Sequence, residues 1–128
     1  MIDKTKAAIK DYSVFDGLCV QDTDYYAQKF LQDGFHLFEH DQSGVKGYVV
    51  FQVKGESFIF HLVNFTNFKT KSMTQDFINF FVKPYCEKND IKTIYATAER
   101  LGMAIKLKKL GFNWAAGSLY RRDVKHVF

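Results

Sequence analysis

"TIYATAERLGMAIKLKKLGFNWAAGSLYRR" (93–122) holds three periods in thirty residues. "KTIYATA" (92–98) is a short apolar run of the kind a buried strand shows. "ERLGMAIKLKKLGF" (99–112) spaces its apolar residues at three and four, which predicts an amphipathic helix. Gly111 is a natural residue to end it, and the lysines before it suit the negative end of the helix dipole. "NWAAGSLYRR" (113–122) reads as one closing strand. A strand, a helix and a strand in so short a span predict an α/β architecture.

Working upstream, "FKTKSMTQDFINFF" (68–81) is a polar, basic turn that runs into a helix. Phe77, Phe80, Phe81 and Pro84 or Tyr85 recur at helical spacing from Ser72 onward. Ser72 with Gln75 fits a capping box, and Pro84 should kink or shorten the last turn. Before it, "FHLFEH" (35–40), "KGYVVFQV" (46–53) and "SFIFHLVNF" (57–65) alternate or run apolar between "DQSG" and "KGE" turns. They predict an antiparallel meander whose third strand is covered on both faces. At the N-terminus, residues 3–11 predict a short helix. A second should run from a cap at Asp22 or Thr23 to about residue 32, ended by Gly34. The expected order is α-α-β-β-β-α-β-α-β: one domain over residues 1–128, with a mixed, mostly antiparallel sheet flanked by helices.

Composition narrows the class. The chain has 128 residues, 47% of them hydrophobic and 17% aromatic, which is enough apolar surface for one core. No stretch is long and uncharged enough to span a bilayer, and "MIDKTKAAIKDYSVFDG" lacks the apolar region of a secretory leader. A soluble protein of the cytoplasm is expected. Cys19 and Cys86 are far apart and form no CxxC, so both are expected as buried free thiols. The net charge of +4 gathers late, at Lys106, Lys108, Lys109, Arg121, Arg122 and Lys125. That face is either simply solvated or turned toward an anionic partner.

The C-terminal unit resembles the strand–helix–"LGF"–strand close of the GNAT acetyltransferases. "RLGMAIKLKKLGF" is similar in wording to small GNAT-like proteins encoded by bacteriophages. The resemblance covers about residues 35–122 in element order. It implies a mixed sheet, acetyl-coenzyme A as cofactor, and acyl transfer to an amine of a small molecule or a protein. If the chain is phage-encoded, it would work in the host cytoplasm. The family carries Arg/Gln-x-x-Gly-x-Gly/Ala between its central strand and the next helix. Here Lys69 stands at the Arg/Gln position, and Ser72 and Thr74 stand where glycines would. The resemblance thus implies a cofactor site at Lys69, Thr70, Lys71, Ser72, Met73 and Thr74. A backbone donor for the thioester oxygen would lie near Val63–Phe65, with Val63 and Phe65 at its ends. The physics suits this, because a helix N-terminus presents unsatisfied N–H groups and partial positive charge to a pyrophosphate. The same residues read equally as a capped helix start with solvated lysines.

Amine acetylation needs a base, an oxyanion donor and an acid for the leaving thiolate. The candidates for the base are His61, in the central strand, and Glu99, just past the penultimate one. The family's late-helix Tyr falls at Leu107 and its Asn at Arg100, so Tyr120 or Tyr95 would have to stand in as acid. Each of these residues also has a plain structural reading: His61 and the tyrosines as core groups, Glu99 as a partner of the helix dipole. His36 and His40 sit four apart on an expected strand, roughly 13 Å, too far to share a metal ion. No metal site is expected. Trp114, Tyr120, Arg121, Arg122 and Lys125 mix aromatic and basic groups as a nucleic-acid surface would, but edge-strand protection explains them as well. The alternative to an enzyme is a catalytically inactive GNAT-like binding or structural protein, of phage origin.

Overall fold

The alternation in residues 35–65 becomes three successive strands, and the rest of the sheet is built outward from them. The computed structural model describes residues 1–70, 72–98 and 101–124. In it, β2 (Phe35–Gln42), β3 (Val45–Lys54) and β4 (Ser57–Asn64) follow in order, with β2 and β3 antiparallel from Phe35↔Gln52 to Gln42↔Val45. The turns are tight, and Ser43, Gly44 and Gly55 all take positive φ. β5 (Thr93–Thr97) lies parallel to β4, and β7 (Leu119–Asp123) antiparallel to β5. With β1 (Ile2–Asp3) at one edge and β6 (Asn113–Ala116) at the other, the seven-stranded sheet has the order β1-β2-β3-β4-β5-β7-β6. The expected mixed, mostly antiparallel sheet with flanking helices is the one observed.

The contacts cluster into two compact units. One comprises Met1–Gln52 and Leu62–Thr74; the other comprises Val53–His61 and Gln75 onward. In the first, α1 (Ala7–Lys10), a 3-10 turn (Ser13–Phe15) and α2 (Thr23–Phe30) bury Ile9, Val14 and Phe30 with Leu37 and Val50 of the strands. In the second, Phe58 and Phe60 of β4 meet Tyr85 and Phe77 edge-on, and Phe77, Phe81 and Tyr85 stack in a ladder along one helix face. That helix runs as α3 (Met73–Phe77), a π segment (Ile78–Val82) and α4 (Lys83–Lys88). α5 (Leu101–Lys109) follows β5.

Four sequence expectations are corrected. Residues 3–11 do not form one helix: Ile2 and Asp3 pair with β2, and helix begins only at Ala7. The Asp3 carboxylate accepts hydrogen bonds from the Thr5 N–H and hydroxyl and from the Ala7 N–H, a local arrangement that competes with helix. Residues 113–122 form a hairpin, not one strand, because Gly117 turns at φ +53° and Trp114 Nε1 donates to the Gly117 carbonyl at 2.8 Å. Of the two effects expected of Pro84, a kink or a shortened last turn, the shortening does not occur. The preceding residues widen into the π segment, with the Lys83 N–H bonding to Ile78 O five residues back, and α4 continues to Lys88. A proline clashes with the carbonyl four residues before it, and a π turn relieves this. Last, Cys86 is buried, but Cys19 is exposed.

Asp22 does precede α2, but at φ +59° and with no capping bond from its side chain. The far end of α2 is closed by Lys6, whose Nζ donates to the carbonyls of Phe30 and Gln32. No helix of the described residues is long and apolar enough to cross a membrane.

Candidate cofactor and catalytic site

The "LVNF" at the end of β4 places one polar side chain in an apolar strand, and the structure buries it. Asn64, at 2% exposure, is the polar side chain found in the core among the described residues. Its Nδ2 donates to the carbonyls of Val14 (2.9 Å) and Asp16 (2.8 Å). Its Oδ1 accepts from the Thr66 N–H (3.2 Å) and hydroxyl (2.6 Å). Two donors and two acceptor positions exhaust the bonding capacity of the amide. Val63 and Phe65 flank it, half-buried. The Phe65 ring lies so close over β3 that a β-carbon on Gly47 would stand 2.3 Å from it. Phe68 returns its N–H to Phe65 O and sets its ring against Phe65 and His40.

From this anchored turn the chain reaches α3. Lys69, Thr70 and Ser72 are exposed, and Met73 and Thr74 are half-buried at the start of the helix. The Gln75 side-chain N–H donates to Asn79 Oδ1 one turn on. Lys71 lies outside the described residues. A polar, basic turn that stays exposed at a helix start fits an anionic group, because N–H donors and dipole point the same way.

In the other unit, the parallel register of β4 and β5 runs Ser57↔Thr93, Phe58↔Ile94 and Ile59↔Tyr95. Both strands continue, to Asn64 and Thr97, past the last registered pair. His61 comes two residues after Ile59 and is half-buried. Tyr120 is only 8% exposed and sits opposite Ala96 of β5 and Trp114 of β6. Tyr95, half-buried, faces Ile59 and Arg121. Glu99 and Arg100 lie outside the described residues. Leu107 is 6% exposed and is tied into the close of α5. There the Phe112 N–H bonds to Leu107 O and the Gly111 N–H to Lys108 O, with Gly111 at φ +90°. This is the Schellman arrangement, in which the apolar contact falls between Leu107 and Phe112 positions, both buried here.

Two of the late basic groups are engaged within the fold. Arg122 Nη1 donates to the Leu110 carbonyl at 2.8 Å, and Arg121 pairs with Asp123 at 3.0 Å. Trp114 is exposed. Lys125 lies outside the described residues. His36 and His40 lie on β2 opposite Phe51 and Gly47. No group of three metal-ligating side chains occurs among the described residues.

No protein-family model and no curated protein matches the sequence. Solved structures do match. The ribosomal-protein-S18-alanine N-acetyltransferase of Escherichia coli superposes with a TM-score of 0.72 at 12% identity, over 100% of this chain and 96% of that one. An acetyltransferase of the GNAT family from Staphylococcus aureus gives 0.64 at 11%, over 98% and 100%. An aminoglycoside 6′-N-acetyltransferase complexed with coenzyme A gives 0.69 at 8%, over 99% and 98%. The chain has the GNAT fold. Within that GNAT fold, Asn64 and Gly47 are the residues that sequence reasoning missed. The signal for Asn64 was present, a lone amide in an apolar strand. For Gly47 there was none, because a glycine at a strand start reads as turn.

Proposed function

We propose that the chain is an acetyl-coenzyme A-dependent N-acyltransferase whose acceptor is an amine of a small molecule or a protein. One coincidence carries this reading. A fold matched over its whole length by acetyltransferases carries, at the start of its Phe-rich helix, an exposed turn with Lys69, Thr70 and Ser72. In this reading the backbone N–H groups of residues 70–74 hold the pyrophosphate, with Lys69 and Lys71 adding charge. The hydroxyls of Ser72 and Thr74 donate where the family's glycines leave space. Acetyl-coenzyme A supplies, when bound, an acetyl group activated as a thioester. A backbone N–H of the Val63–Phe65 stretch polarises the carbonyl. His61 or Glu99 takes the proton from the ammonium of the acceptor. Tyr120 or Tyr95 stands in as the acid, though the burial of Tyr120 against Ala96 suits cross-strand packing better.

Calorimetry and thermal shift with acetyl-coenzyme A test the site. Binding is expected, and Ser72→Glu should weaken it by at least about tenfold, by setting a carboxylate against the pyrophosphate. No heat and no shift at millimolar cofactor would overturn the reading. Undiminished affinity in the Ser72→Glu variant would move the site elsewhere.

The second reading is a GNAT-fold protein without catalysis, and Leu107 favours it. This side chain is built into the helix close where the resemblance implies a phenol. Thiol release from acetyl-coenzyme A in the presence of mixed amines separates the two readings, since the inactive protein releases none.

A further inference from the structure

We propose that Asn64 is a positioning residue for the cofactor turn, a role that rests on the transferase reading above. Residues 65–70 leave β4 with no regular structure of their own to set the direction of the turn. Its direction is set by the amide of Asn64, which joins the end of β4 to the carbonyls of Val14 and Asp16, fifty and forty-eight residues away. The other end of the same amide folds Thr66 back in a local turn, and the Thr66 hydroxyl also reaches Asp16 O at 3.3 Å. Gly17 belongs to the same lock. Its φ of +79° excludes most side chains, and a β-carbon there would meet the Thr66 hydroxyl at 2.7 Å. Phe65 over Gly47 and Phe68 against His40 hold the turn on its apolar side. The N–H groups of 70 and 72–74 follow within a few residues, so their aim depends on a turn whose start this one side chain fixes. Preorganised donors bind an anion without the ordering loss that a loose loop would bear.

The test separates positioning from stability. Asn64→Ala removes all four bonds. Val14→Ala removes a buried side chain but keeps the Val14 carbonyl. Both variants should melt lower than the parent. Titrated where each is folded, Asn64→Ala should bind acetyl-coenzyme A about tenfold more weakly and Val14→Ala within about twofold of the parent. Amide exchange in the free protein should speed up at 68–70 and 72–74 in Asn64→Ala alone. If Asn64→Ala does not fold, Thr66→Val removes the hydroxyl arm and should weaken binding about threefold, with the same exchange signature. Equal affinity in Asn64→Ala and the parent, or no change in exchange, overturns the proposal. A parent that binds no cofactor, yet shows the exchange difference, overturns the transferase reading and leaves the lock as a structural device.

Discussion

A β-carbon on Gly47 would stand 2.3 Å from Cδ1 and 2.6 Å from Cε1 of Phe65, and 2.9 Å from Phe68. Gly47 has no unusual φ, so it is required by what lies above it and not by its backbone. Single residues of this kind explain why the site was only half legible. The polar turn, the helix after it and the position of Lys69 could all be read from residue type and spacing. That a phenylalanine just past the end of β4 would settle onto a glycine of β3 could not, because the contact joins residues eighteen apart through tertiary packing alone. Gly47→Ala should therefore be costly. Overpacking of a tight core typically destabilises by about 1–3 kcal/mol, and the rigid ring puts this case at the upper end. Urea unfolding would read this as a lowered midpoint with unchanged slope. Adding Phe65→Leu, which withdraws the ring, should recover part of the loss. A Gly47→Ala protein as stable as the parent would mean that the turn carrying Phe65 sits off the strand.

The elements show the same division between local and tertiary causes. Strands β2 to β5 and helices α2 and α5 follow from alternation, helical spacing and glycine stops, so the sequence pattern located them. The N-terminal strand is two residues long, too short for any period to appear. The β6–β7 hairpin was hidden because "AAGS" interrupts the run by only a two-residue turn. Helix ends offer a direct comparison. α5 closes on Gly111 at φ +90°, whereas α4 closes on Asp90 at φ +56°, with the Ile91 N–H bonding to Cys86 O. The left-handed conformation is free for glycine and costs an L-residue about 1 kcal/mol. Asp90→Gly should accordingly stabilise the protein by somewhat less than about 1 kcal/mol, since Asp tolerates this region better than most. Gly111→Ala should destabilise by about 1 kcal/mol. Chemical denaturation of both variants checks the signs, and a loss of stability in Asp90→Gly would show that the carboxylate does more there than occupy a turn.

For the whole molecule, a fold shared with acetyltransferases at 8 to 12% identity means that few side chains dictate the architecture. Element order and apolar periodicity do, and these were the features legible in the sequence. Chemistry depends on individual groups, and the sequence left His61, Glu99 and Tyr120 with two readings each. Titration of the intact chain offers a test of its described charges. His36, on β2 beside the Phe51 ring, has its pKa lowered from the ordinary 6.5, first by burial and then by Lys6. The folded state therefore binds this proton less readily than the unfolded one, so stability falls as pH drops from 6.5 toward the lower folded value. The Asp3 carboxyl is lowered from 3.8, first by the Thr5 hydroxyl bond; its contribution is whole above that value and lost as pH falls through the folded one. On acidification His36 contributes a decline beginning near 6.5 and Asp3 one below 3.8, beside those of the Met1 amine, lowered from 8.0 by burial, and the Asp11 carboxyl, lowered by its bonds from Ser13. Urea midpoints measured from pH 7 to 3 would show them. His36→Gln should shrink the decline that begins near 6.5 and leave the one below 3.8, and Asp3→Asn should do the reverse. A parent whose midpoint holds constant from pH 7 to 5 would mean that His36 is as well solvated folded as unfolded, and that β2 does not bury it.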